Sequence, residues 1–213
     1  MSPAYDAIQN AALGRHLCIR GGLYPEDLEG IETLILLGPD EPAFWPAFTQ
    51  SPEYQDGQPD PMDRWSTRVI GDLAAELGAQ PLFPFGGPPW HPFIQWAKDS
   101  GRAWASPINL LVHDDAGLFA SYRGALGFGH RIALPPAPAQ APCADCSAPC
   151  RTTCPVNALG PQGYDVPACK TFLRGPNGQE CMTNGCAARR ACPLSRSYGR
   201  LSEQSAFHMR AFL

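Results

Sequence analysis

The segment Cys143-Ala-Asp-Cys146-Ser-Ala-Pro-Cys150-Arg-Thr-Thr-Cys154-Pro155 places four thiols within twelve residues and closes on a proline. Closely spaced thiolates on a loop can wrap three corners of an iron-sulfur cubane. The fourth, the one before proline, goes to a second cluster in two-cluster ferredoxins. That rule predicts a second motif downstream, and Cys169, Cys181, Cys186 and Cys192-Pro193 supply it, again ending in Cys-Pro. The intervening residues number two, three and three in the first motif and eleven, four and five in the second. Bacterial ferredoxins use two, two and three. One extra residue before Cys150 is absorbed by a loop, whereas the second motif is looser. Crossover assigns Cys143, Cys146, Cys150 and Cys192 to one 4Fe-4S cluster, and Cys154, Cys169, Cys181 and Cys186 to the other.

Other chemistries use dense cysteines. Disulfides belong to oxidising compartments, and the start Met1-Ser-Pro-Ala-Tyr-Asp lacks a basic stretch followed by an apolar core. Zinc is the stronger rival, because Cys143-x2-Cys146 is a common half-site and eight thiols suit two four-coordinate ions. Two reciprocal Cys-Pro endings are not a zinc-ribbon pattern, which pairs short CxxC knuckles. Eight thiols that bind nothing would be an oxidation liability. Cys18, between Leu17 and Ile19, reads as a small buried apolar residue and not as a ligand.

Charge divides the chain in the same place. Net charge is −4, yet residues 143–213 carry eight basic and four acidic side chains against eight and sixteen before them. Each cubane with four thiolates carries roughly two or three negative charges, so Arg151, Lys170, Arg189, Arg190, Arg196 and Arg200 are placed to offset them. The segment has no lysine-rich run or interleaved stacking aromatics, so no direct nucleic-acid partner is expected. No apolar run reaches the ~20 residues of a spanning helix. The expectation is a cytoplasmic protein, with no membrane association and with reduced thiols, that exchanges electrons with a redox donor or acceptor protein.

These motifs need a scaffold, and 24 Pro with 21 Gly point to short elements and many loops. Residues 5–17 have a weak helical pattern that Gly21-Gly22 would end. Residues 31–37, dense in aliphatic side chains and closed by Gly-Pro, predict a buried central strand. Phe44, Trp45 and Phe48 read as core, and 51–61 as a polar surface loop. Trp65, Val69, Leu73 and Leu77 recur at four-residue steps between Pro61 and Gly78, which predicts a helix. Residues 81–85 read as a short strand, and a further helix runs through Phe93, Trp96 and Ala97.

Two places in this front part could meet a cofactor. The loop 86–92 combines two Gly, three Pro, Trp90 and His91 at a strand end; it is either a pocket wall or a rigid connector. Apolar runs on either side of Asp114-Asp115-Ala-Gly117 predict a β-hairpin whose second strand spans 118–123. There Arg123, beside Tyr122, sits among apolar neighbours and needs an anion, either a cofactor group or a core carboxylate. Residues 135–142 form a proline-rich stiff linker, so the expected domains are 1–137 and 138–213.

The run Ile108-Asn-Leu-Leu-Val-His-Asp-Asp-Ala-Gly-Leu-Phe-Ala-Ser-Tyr-Arg-Gly-Ala-Leu126, followed by the paired cysteine motifs, resembles the chain order of the group that holds epoxyqueuosine reductase, the reductive dehalogenases and the cobalamin-processing proteins of the type C methylmalonic aciduria family. The resemblance spans roughly residues 31–193. It implies an α+β protein in which a nitroreductase-like α/β front domain precedes a loop-rich, two-cluster ferredoxin-like module. It further implies that the clusters feed a corrinoid, cobalamin, or a flavin such as FMN, bound near Trp90, His91, Tyr122 and Arg123, for reduction of a small substrate. The chain is shorter than those enzymes and has no helical-repeat tail, and no catalytic residue carries over. The alternative is a ferredoxin-like electron carrier or accessory protein with a ligand-free front domain.

Overall fold

A computed structural model describes residues 4–213; the expectation for the chain start falls partly on residues 1–3, outside the described residues. The protein is mixed α+β, with ten α-helices and three small antiparallel sheets among the described residues. The chain forms two compact units. One holds Met1–Arg102 with Ser121–Ala137, and the other holds Ala103–Ala120 with Pro138–Leu213. The proline-rich linker marks the last of three crossings, but Ala103–Ala120, expected in the front domain, belongs to the second unit.

In the first unit α1 (Tyr5–Leu13) ends at Gly14, and the chain turns into β1 (Leu17–Leu23). Gly21 and Gly22 therefore do not end a helix. They lie inside a strand that bulges between Ile19 and Gly21, and a Cβ on Gly21 would sit 2.5 Å from Ser100 Oγ. Next comes β2 (Thr33–Pro39), the predicted central strand. All seven of its residues are buried; because alternate residues point to opposite faces, both faces of the sheet are covered. Cys18 lies in β1 with its thiol 3.2 Å from the Pro39 carbonyl, buried as expected.

In α2 (Phe44–Thr49) Phe44 and Phe48 stack on one another, and both meet Trp65 edge to face. Residues 51–61 are not all loop: Ser51 accepts the Tyr54 amide and Pro52 opens α3 (Pro52–Gln55), a capped single turn. The predicted long helix is α4 (Pro61–Leu77), which buries Trp65, Val69 and Leu73 and ends on left-handed Gly78. After it come β3 (Gln80–Leu82), shorter than expected, the 86–92 loop and α5 (Phe93–Asp99).

The second unit begins with β4 (Ala103–Ala105) paired to β5 (Leu111–His113). This hairpin precedes the predicted one. After β5 the His113 Nδ1 accepts the amides of Asp115 and Ala116, and the Leu118 amide donates to Ser195 Oγ at 2.9 Å. The Leu118 amide is thus taken by a side chain and the Phe119 amide by the Ala116 carbonyl, and residues 118–123 form no strand. The strand forms later, as β6 (Gly124–Phe128), which joins the first unit's sheet in the order β1-β2-β6-β3, antiparallel throughout.

The remainder of the second unit consists of β7 (Leu159–Gly160), β8 (Gly163–Tyr164), α6 (Val166–Arg174), α7 (Gln179–Asn184), α8 (Ala187–Ala191), α9 (Pro193–Ser197) and α10 (Ser202–Phe212). Helices α7 and α10 pack together, and α8 lies against the 3-10 turn Pro149–Arg151. No helix among the described residues is long and apolar enough to cross a membrane.

Candidate metal centre

Eight cysteines of the second unit sit on short elements separated by tight turns. In the first motif left-handed Ala148 sends the chain into the 3-10 turn that carries Cys150, and the Ala148 amide donates to Cys146 Sγ at 3.4 Å. Left-handed Asn157 turns the chain after Cys154, so that the Ala158 amide donates to Cys154 Sγ at 3.3 Å. In the second motif Cys169 lies on α6, whose N-cap Asp165 accepts the Ala168 amide. Cys181 lies on α7, and Cys186 and Cys192 immediately precede α8 and α9. Pro193 at the first helical position of α9 pushes Cys192 to extended backbone, φ −62° and ψ 127°, which turns its thiol out of the helix.

The thiols border two apolar clusters. Cys150 and Cys192 are buried in one apolar cluster with Ile108, Val112 and Leu118, and Cys143, Cys154 and Cys186 pack against it. Burial pushes the Cys143 thiol above its ordinary value, and the thiolates of Cys146, Cys192 and Cys150 push it further. For Cys150 the causes are again burial first and then Cys192 and Cys146, with Arg151 acting in the opposite sense. Cys192, from the far motif, thus shares an apolar cluster with Cys150 and Cys143, and Cys146 is their electrostatic neighbour.

Cys169 and Cys181 share a second apolar cluster with Leu173 and Ala187. The Cys169 thiol is raised by burial first, then lowered by a hydrogen bond from Tyr164, and raised again by Cys186 and Cys154. Burial also raises Cys181; the Ala187 amide lowers it, Glu180 and Cys186 raise it, and Arg190 lowers it. Cys154 is therefore an electrostatic neighbour of the far motif, and Cys181 joins this set through Cys186.

Such sites have a definite chemistry. Several thiolates in an apolar wall repel one another, and a cationic centre that takes their protons' place relieves both burial and repulsion. The Ala148 and Ala158 amides are hydrogen-bond donors aimed at the sulfurs of Cys146 and Cys154. All nine cysteines are free thiols. Among the described residues, no three His, Cys, Asp or Glu side chains converge tightly enough to hold a single ion.

Sequence reasoning missed Tyr164, whose hydroxyl donates to Cys169 Sγ at 3.2 Å. Burial, followed by the Cys169 sulfur, holds its phenol well above the ordinary value, so it stays a donor. Of the predicted basic residues, Arg151 and Arg190 act on thiols, while Arg200 donates to the Phe119 carbonyl and lies over the Phe119 ring.

The four expected cofactor residues lie in the first unit. Trp90 is 64% exposed, and the His91 ring lies 5.4 Å from that of Trp96. Arg123 Nη1 donates to Asp63 Oδ1 at 3.2 Å, and its Nε donates to the Tyr122 carbonyl. The anion beside Arg123 is thus the partly exposed carboxylate of Asp63 on α4. A cavity of about 530 Å³ in this unit is lined by other residues, among them Tyr5, Asp6, Arg131 and Leu134.

No family model matches the chain, and no curated protein or solved structure matches it at a significant level.

Proposed function

We propose that this chain is an iron-sulfur electron-transfer protein whose second unit holds two 4Fe-4S clusters. Cys143, Cys146, Cys150 and Cys192 would hold one, and Cys154, Cys169, Cys181 and Cys186 the other. The observation that carries this reading is the reciprocal grouping: each set of mutually repelling thiols takes its Cys-Pro cysteine from the opposite motif. When bound, such clusters supply one-electron oxidation and reduction. The chain's own contribution is an apolar wall, amides aimed at sulfur, and Arg151 and Arg190 to offset negative charge.

On the resemblance to the epoxyqueuosine reductase group, with its nitroreductase-like front domain and ferredoxin-like module, the electrons would pass to a corrinoid or FMN in the first unit and on to a small substrate. A second reading, an electron carrier with no ligand in the first unit, is favoured by the Asp63 partner of Arg123. Titration of the protein with cobalamin and with FMN separates the two: a shift in ligand absorbance supports the reductase, and an unchanged spectrum supports the carrier.

The ligand map has its own test in EPR spectra of anaerobically reconstituted variants. Cys154→Ser is expected to alter the signal that Cys169→Ser alters and to spare the one that Cys150→Ser alters. If Cys154→Ser instead changes the Cys150 signal, the crossover is wrong.

A further inference from the structure

Both thiol sets receive backbone amides, and the set that contains Cys169 has a side-chain donor in addition. Cys146 and Cys154 accept from backbone amides, which no side-chain replacement removes. Cys169 accepts from a side chain, the Tyr164 hydroxyl, at 3.2 Å.

This contact is held from both ends. Tyr164 pairs with Leu159 across the β7–β8 ladder. The next residue, Asp165, caps α6, and its carbonyl accepts the Cys169 amide at 3.1 Å, so the cap fixes the offset between hydroxyl and thiol. The tyrosine ring stacks on Phe212, with centroids 6.0 Å apart and planes 9° from parallel. Phe212 is itself held, because Lys170 Nζ lies 5.1 Å from its ring centroid and Lys170 and Arg174 both donate to the neighbouring Leu213 carbonyl. A phenol that only filled space would not need its oxygen on a sulfur.

We propose that Tyr164 is a tuning residue, whose hydrogen bond to Cys169 Sγ raises the reduction potential of the cluster held by Cys154, Cys169, Cys181 and Cys186 relative to the other. The inference rests on the cluster reading above. Its physical basis is charge: reduction adds an electron to an anionic centre, and a hydrogen bond donated to a ligand sulfur stabilises the more negative state more strongly.

The test uses the full chain, reconstituted anaerobically with iron and sulfide, as wild type and as Tyr164→Phe, which keeps the stacked ring and deletes only the hydroxyl. Iron and sulfide are assayed first, and both midpoints are then read by EPR-monitored redox titration. We expect unchanged iron and sulfide, one midpoint lowered by about 59 mV, a tenfold change in that one-electron equilibrium, and the other midpoint unmoved. Phe212→Leu, which loosens the tyrosine and leaves its hydroxyl, is expected to lower the same midpoint by less. Full iron content with both midpoints unmoved in Tyr164→Phe overturns the proposal and leaves the cluster reading intact. A wild type that takes up no sulfide overturns the cluster reading itself. If Tyr164→Phe loses iron, Phe212→Leu decides: a lowered midpoint supports tuning, and an unmoved one refutes it.

Discussion

Replacing Asp63 by Asn isolates the charge opposite Arg123, because Asn keeps an acceptor at nearly the same place and removes only the negative charge. The guanidinium is 15% exposed and lies 3.2 Å from the carboxylate, which is 38% exposed. Two unit charges at that separation interact by ~5 kcal/mol at an effective dielectric of 20 and by ~1 kcal/mol at that of water. Burial holds Arg123 below its ordinary value, and Asp63 acts to raise it again, so the pair does relieve a desolvated charge. Exposure of the carboxylate draws the interaction toward the aqueous end, and we expect Asp63→Asn to cost about 1–2 kcal/mol. Urea unfolding followed by tryptophan fluorescence reads mainly this unit, since four of the five tryptophans, Trp45, Trp65, Trp90 and Trp96, lie in it and Trp104 lies in the other. The urea midpoint should fall with an unchanged slope, and a double-mutant cycle with Arg123→Met should return a coupling of about 1–2 kcal/mol. A coupling below about 0.3 kcal/mol would show that Asp63 is not the partner that stabilises Arg123.

Two further perturbations probe the scaffold. Gly117 has φ +56°, and a Cβ there would lie 2.5 Å from the Ser195 backbone nitrogen; Gly117→Ala should cost the second unit roughly 2–4 kcal/mol from left-handed strain plus overpacking, seen as a lower urea midpoint by far-UV circular dichroism. The Arg68 guanidinium, which donates to both carboxylate oxygens of Glu53, holds that carboxyl below its ordinary value. The stabilisation is present above the unfolded value, about 4.3, and is lost as pH falls through the lower folded one. Wild type should therefore exceed Glu53→Gln in stability at pH 6, and the difference should shrink as pH falls below about 4; a gap that grows on acidification contradicts the assignment.

Elements whose signal is local were legible in the sequence. The central strand shows in the unbroken run Leu34-Ile-Leu-Leu37, and α4 in its four-residue period between Pro61 and Gly78. Strands β1 and β6 were not legible, because each carries two glycines that read as breakers. Gly21 is required by Ser100, and a Cβ on Gly127 would lie 2.5 Å from Ile31 Cδ1, so these glycines answer to packing against remote residues and not to local propensity. The misplaced hairpin has the same origin, since Ser195, 77 residues away, takes the Leu118 amide. At the centre, the cysteines are plain in the sequence, and their assignment to two sets is a reading of spacing and the Cys-Pro endings. Tyr164 carried no signal, because its hydroxyl meets Cys169 only through the β7–β8 turn and the α6 cap.

The central claim is that two sets of four thiols hold two cubanes, and elemental stoichiometry measures it most directly. Protein isolated or reconstituted without oxygen should contain about eight iron and about eight acid-labile sulfide per chain, with zinc well below one. About two zinc ions per chain with no sulfide would contradict it and assign the same thiols to a pair of structural ions.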